Sequence, residues 1–204
     1  MRPARVVLSL SGVVVLFLVG AGVLLYREAS RPGAEALAAA GERIGQLPAG
    51  ARSVTGGLAV VDYSRPGWHR RLALYDARGN LIGTYLVAHA RNSGGHDRAV
   101  SFSNEVDSNQ SSLGLFLVVD RYEGEHGTAL RLEGLDPGLN DRAFERDIVV
   151  HGADYVSFRS IVENVWSGKG AGVGRSLGCP AVSRQAMPVV ARTLDRGGYL
   201  YIHR

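Results

Sequence analysis

The 204-residue chain is 46% apolar and 21% charged, which suits one ordinary domain with an added segment and excludes a disordered or collagen-like chain. A single cysteine, Cys179, excludes an internal disulfide framework. Most of the net charge of +4 belongs to the first 52 residues, because residues 53–204 carry 17 basic against 16 acidic side chains, and a nearly neutral domain lacks the basic footprint of a nucleic-acid binder.

From Val6 to Leu25 run twenty residues without a charge, preceded by Arg2 and Arg5. That length crosses the hydrocarbon core of a bilayer as one helix. Gly20-Ala21-Gly22 offers the small-residue site of a cleaved export signal. Val23-Leu24-Leu25-Tyr26 carries the apolar run past it, however, so residues 1–26 read as an uncleaved single-pass anchor, with residues 6–25 in the lipid bilayer. Residues 27–52 are rich in Ala, Gly and Pro. Glu35–Ile44 has some helical pattern, but Pro32, Pro48 and the glycines point to a tether.

Residues 53–204 read as a mainly β domain with short helices, a sandwich or barrel-like sheet. Strands are expected at Leu58–Tyr63, Arg71–Tyr75 and Leu81–Ala90, the last two flanking the turn Asp76-Ala-Arg-Gly-Asn80 as a hairpin. Residues 91–112 are polar and Gly/Ser/Asn-rich, a long loop of the kind that carries function in a compact domain. Leu115–Val119, Ala129–Leu132, Ile148–Val150 and Tyr199–His203 are further strands. Residues 158–166 and 184–195 suit helices, the second capped by Ser183 and ended by Gly197-Gly198.

A lone cysteine is most often a small buried hydrophobe. The surroundings of Cys179 argue otherwise. It follows Gly174-Arg-Ser-Leu-Gly178 and precedes Pro180, in a turn-prone stretch where Gly178 frees the backbone to present the next side chain. Main-chain N–H groups in such a turn can converge on one oxyanion. Upstream, His151 follows the apolar strand Ile148-Val-Val150 and precedes Gly152, placing an imidazole at a strand end. A thiol with a positioned imidazole is a nucleophile with its base.

His-Gly after a strand, then Ser-x-Gly-Cys, resembles the murein L,D-transpeptidase catalytic-domain family of bacterial cell-wall enzymes. Further matching stretches occur in the family's order: Ser103-Asn104, Ser111-Ser112-Leu-Gly114, Tyr122-Glu-Gly124, His126-Gly127 and Leu132-Glu-Gly-Leu135. Asn140-Asp-Arg-Ala143 follows, then Arg146, Ile148-Val-Val-His151-Gly-Ala-Asp-Tyr155 and Gly174-Arg-Ser-Leu-Gly-Cys-Pro-Ala181. The resemblance implies an L,D-transpeptidase-like β domain, held at the inner membrane and facing the periplasm or cell wall. It also implies peptidoglycan stem peptides as substrate and no cofactor. Carried over, Cys179 attacks the carbonyl before a terminal D-alanine, and the thioester passes to an amine of another stem or to water. His151 moves the proton, the Gly152 carbonyl orients its ring, and N–H groups near Gly178 and Cys179 hold the oxyanion.

Two departures stand out. Leu177 occupies the place of the second His in the more familiar Ser-His-Gly-Cys, and Pro180-Ala181 follow where Arg is common. Arg175 is then the candidate for a stem carboxylate, and Ser176 the candidate support of the cysteine loop. Gly168-Lys-Gly-Ala-Gly-Val-Gly174 lacks the Gly-Lys-Ser/Thr of a phosphate loop and reads as a flexible approach to Cys179, a lid. His89 and His96 flank a loop with Asp97, but no His-Glu-x-x-His occurs, so a metal peptidase is set aside. The competing non-enzymatic reading is a membrane-tethered wall-binding module that keeps the cleft without turnover. Hydrolysis alone would make the domain a carboxypeptidase.

Overall fold

The computed structural model describes residues 17–18, 20–21, 30–49, 56–125 and 127–204. The chain forms two compact units, Met1–Ser30 and Arg31–Arg204. In the first, residues 17–18 and 20–21 are helical, and the rest of the proposed membrane segment lies outside the described residues. No helix among the described residues is long and apolar enough to cross a membrane.

The second unit opens with helix α1 (Ala34–Gly45), where the sequence pointed to a tether. Strands β1 (Leu58–Asp62) and β9 (Tyr199–His203) explain the difference. They lie side by side in parallel, Val60 opposite Tyr201. Ala59 and Val61 turn into the main core, while Val60 faces the other way and needs its own cover. Ala36 and Ala40 supply it, fully buried against Val60, with Leu58, Tyr75 and Tyr201 around them. Small residues let the helix approach closely, and burial of this stripe stabilises a short helix that propensity alone would leave marginal. Polar bonds pin both ends: the Gly33 N–H donates to Asp62 Oδ2 at 2.7 Å, and Arg43 pairs with Asp136 and donates to the Leu135 carbonyl at 3.0 Å.

The remaining strands are β2 (Leu72–Tyr75), β3 (Leu81–Tyr85), β4 (Val87–Ala88), β5 (Gly114–Gly124), β6 (Gly127–Gly134), β7 (Val149–Ala153) and β8 (Ala181–Ser183). They form one sheet in the order β3-β2-β1-β9-β5-β6-β7-β8-β4. Its two outer members, β3 and β4, are successive pieces of a single extended stretch interrupted only at Leu86. One half of that stretch pairs with β2 and the other with β8, so the sheet curls round on itself like a barrel. Phe116, Leu72, Leu130, Leu132 and Leu200 fill the interior, joined by Met187, Val190 and Leu194 of helix α3 (Met187–Leu194). Helix α2 (Phe158–Trp166) begins at Ser157, whose hydroxyl accepts from the Ser160 N–H at 3.1 Å.

Several expected elements differ in extent. The β2–β3 turn is built as expected, with the Asp76 carboxylate accepting from the N–H groups of Arg78 and Asn80 and Gly79 at φ +82°. The β5–β6 hairpin runs on past its apolar residues, through polar pairs as far as Gly124 and Gly127. Helix α3 starts at Met187 without a side-chain cap; Ser183 instead closes the preceding turn by accepting from the Ala186 N–H at 3.2 Å. Strand β7 continues to Ala153, so His151 stands in the middle of a strand rather than at its end.

Candidate active site

Strand β7 places the histidine and its partner strand delivers the cysteine. β7 pairs antiparallel with β6, His151 opposite Ala129, and parallel with β8, His151 opposite Ala181. Cys179 precedes Ala181 by two residues and therefore arrives beside the same stretch of β7. Both side chains line one cleft of about 640 Å³.

His151 is buried, with Nδ1 3.2 Å from the Gly152 carbonyl oxygen. A carbonyl only accepts, so this contact puts the ring proton on Nδ1 and makes Nε2 the basic nitrogen. The Cys179 thiol points at the Asp147 carbonyl, 3.7 Å away. Burial pushes its pKa up; the Val149 N–H and the Arg146 guanidinium pull against that rise, while the Asp147 carboxylate adds to it. The resting group is thus a neutral thiol rather than a preformed thiolate.

The turn carrying Cys179 is held by Ser176. Its hydroxyl donates to the Cys179 carbonyl at 2.6 Å and accepts from the Gly178 N–H at 3.2 Å. Its own N–H donates to the His89 carbonyl at 3.0 Å, and its carbonyl accepts from the Arg91 N–H at 2.8 Å. Gly178 has φ +152°, and a Cβ there would lie 2.7 Å from Ile148 Cδ1. Gly178 is therefore needed for the close approach of the turn to β7. Because the Gly178 N–H is taken by Ser176, the Cys179 N–H is the main-chain donor beside the sulfur. Leu177, in the place of the second histidine, is 62% exposed at the mouth of the cleft.

Arg175 reaches the rim of the cleft, with Nη1 donating to the carbonyls of Arg91 at 2.9 Å and Gly94 at 2.7 Å. It fastens the 91–94 turn to the cysteine loop as well as facing solvent. Of the glycines after α2, Gly168 and Gly170 take left-handed φ with open or ordinary space around them, whereas Gly172 and Gly174 are held tightly. A Cβ on Gly172 would lie 1.7 Å from the His96 carbonyl oxygen, and one on Gly174 would lie 2.6 Å from Tyr155 Cβ, so they are small because neighbours press on them.

Three cleft residues carried no role in the sequence. Arg146 donates to the carbonyls of Ser103 at 2.8 Å and Gln110 at 2.7 Å and to the hydroxyls of Ser108 and Ser112, gathering the 103–112 loop around itself. Its charge also acts on Cys179. Arg184 pairs with Asp154 at 2.8 Å on the opposite rim. Tyr155 lines the cleft, and its hydroxyl is pushed up to about 12 by burial and by the neighbouring thiol, so it stays a neutral donor. Only its position at the end of the His151–Tyr155 run signalled it. His126 lies outside the described residues.

Behind the cysteine loop sits a buried polar group. Arg71 is fully buried, stacks over the Tyr63 ring at 4.7 Å, and donates to the carbonyls of Val87 and Arg65 and to His89 Nδ1 at 2.7 Å. His89 Nε2 donates to the Gly95 carbonyl at 2.7 Å. Burial and Arg71 hold His89 down to about 3, so it is neutral, and both its nitrogens are occupied. It shapes the β4 end on which Ser176 docks and is no metal ligand.

The sequence model of the L,D-transpeptidase catalytic domain matches residues 31–203. Among solved structures, an L,D-transpeptidase from Mycobacterium smegmatis aligns over 73% of this chain and 59% of its own, at 12% identity and a TM-score of 0.43. The chain thus spans about three-fifths of that protein's length. No curated protein matches. The family match opens at Arg31, where the compact unit itself begins, and it encloses α1, the curled sheet and the cleft of Cys179 and His151: the chain belongs to the L,D-transpeptidase catalytic-domain family.

Proposed function

We propose that the domain is a cysteine-dependent L,D-transpeptidase that remodels peptidoglycan stem peptides. The observation that carries this reading is the meeting of Cys179 and His151 in one cleft, on paired segments of the sheet. A thiol that rests protonated, in one cleft with an imidazole whose Nδ1 faces a carbonyl, suits general-base activation at the moment of attack. The S–H proton passes to His151 Nε2 as sulfur bonds to the stem carbonyl carbon. The oxyanion is met by the Cys179 N–H. The C–N bond to D-alanine then breaks, and His151 gives its proton to the departing amine. An amine of a second stem attacks the thioester, loses its proton to His151 and displaces sulfur, which is reprotonated. Water in place of the amine gives the carboxypeptidase outcome. The Gly152 carbonyl holds the imidazole in the tautomer this shuttle needs.

The substrate class places the domain outside the cytoplasm, with Val6–Leu25 as its anchor and the cleft facing the wall. A topology reporter fused after Arg204 reads out that orientation, and a cytoplasmic signal overturns it.

The direct test supplies muropeptides ending in D-alanine to the purified full-length protein and follows products by mass spectrometry. Wild type is expected to release D-alanine with a cross-linked or hydrolysed partner product, and Cys179→Ala to release none. Equal products from both proteins, or none from wild type, overturn the reading.

A further inference from the structure

Next to the catalytic cleft, and sharing Arg175 with it, lies a second cavity of about 580 Å³ lined by Arg91, Gly95, His96, Lys169 and Arg175. Its wall holds two guanidiniums, an ammonium and an imidazole, and no acidic residue. Among the described residues none of Arg91, Lys169 and Arg175 makes an ion pair, whereas Arg131, Arg142 and Arg184 each do. Arg175 and Lys169 are close enough to act on His96. Burial lowers the proton affinity of His96, and the charges of Arg175 and Lys169 lower it further; a hydrogen bond to the Lys169 main chain and, more weakly, the carboxylate of the next residue, Asp97, oppose this.

The cavity is built rather than accidental. Arg175 is fastened through Nη1 to the carbonyls of Arg91 and Gly94. The loop carrying Lys169 is tied to α2 by its own N–H on the Asn164 carbonyl at 2.8 Å and by Asn164 Nδ2 on the Gly172 carbonyl at 2.9 Å. Like charges held together by packing repel, and an anion placed among them relieves that repulsion. Guanidinium forks suit a planar two-oxygen acceptor in particular.

We propose that this cavity is an anion subsite that seats a carboxylate of the peptide worked on at Cys179. That the ligand is a stem peptide rests on the function proposed above; the preference for a carboxylate over its neutral amide does not. Arg175 stands in the wall of both cavities, so one ligand spans them: its carbonyl at the thiol, its carboxylate among Arg91, His96 and Lys169.

Lys169 is the only lysine in the chain, which makes it a built-in probe. The full-length protein is treated with an amine-acetylating reagent, and modification of Lys169 is followed by mass spectrometry. N-acetyl-D-alanine, N-acetyl-D-alanine amide and inorganic phosphate are compared at ionic strength matched with sodium chloride. The carboxylate is expected to slow acetylation several-fold, the amide to leave it unchanged, and Arg91→Gln to erase the protection. Equal protection by acid and amide, or none by either, overturns the subsite. Protection by phosphate exceeding that by the carboxylate overturns the carboxylate assignment in favour of a phosphate-bearing ligand. D-alanine release by the same preparation separates the two claims: release without protection removes only the subsite, and protection without release removes only the peptidoglycan reading.

Discussion

Gly178 has no room for a methyl group. Its positive φ disfavours a side chain, and Ile148 Cδ1 occupies the place where a Cβ would go. Gly178→Ala must therefore push the cysteine turn away from β7, and a displaced nucleophile loses rate steeply. The expected result is a fall of at least about tenfold in kcat/KM for D-alanine release, or about 1.4 kcal/mol of barrier, with the thermal melt showing a folded protein. Adding Ile148→Val removes the clashing Cδ1 and should restore part of the loss, because the backbone strain remains. A double variant no better than Gly178→Ala would show that packing against Ile148 is not what places the turn. Ser176 belongs to the same turn at one remove: it touches no reacting atom, but its hydroxyl joins the Gly178 N–H to the Cys179 carbonyl.

Between strands, the 103–112 loop takes its shape from Arg146, whose guanidinium collects carbonyls and hydroxyls from four of its residues. The same cation lowers the thiol pKa that burial raises. Arg146→Gln removes the positive charge, so the thiolate loses support and its pKa moves further up. The pH midpoint for alkylation of Cys179 by iodoacetamide should rise, and limited proteolysis should find new cuts within 101–112; an unchanged midpoint would leave Arg146 a purely structural clasp. This segment was legible as a long polar loop, while the residue organising it was not, because its partners lie more than thirty positions away. The same contrast runs through the other elements. Strands β1, β2 and β9 announce themselves by apolar runs, and α2 by its apolar spacing. Helix α1 does not, since Gly33 offers no capping side chain and its stability comes from Val60 and Tyr201, far along the chain. His151 reads as a strand end because Gly152 and Ala153 are poor strand formers; parallel pairing to β8 keeps them extended. Cys179 and His151 could be read from pattern, whereas Tyr155 and Arg184 acquire meaning only when the cleft closes around them.

Across the whole molecule, the curled sheet encloses the Arg71 guanidinium, which needs the neutral His89 ring as an acceptor. His89 is neutral in the fold, held down to about 3 by burial and Arg71, whereas an unfolded imidazole titrates near 6.5. Between those values the unfolded chain binds the extra proton, so stability is intact above about pH 6.5 and falls as pH drops toward about 3. His69 and His96 are held down as well and act in the same direction. Urea unfolding at pH 7 and about pH 5 should show this acid loss, and His89→Gln, which cannot take a proton, should shrink it even if it lowers stability at pH 7. A loss of the same size in the variant would remove His89 from the acid response. The stretch Leu81–Ala88, split between β2 at one end and β8 at the other, also imposes an order on assembly. The local β2–β3 hairpin costs little chain entropy to close, whereas the β4–β8 seam joins segments separated by most of the domain and is expected to form late. The cysteine loop leads directly into that seam. A nascent chain therefore carries its thiol through most of folding without the His89 carbonyl and Arg91 N–H that clamp Ser176, and a fixed cysteine turn arrives only as the seam shuts.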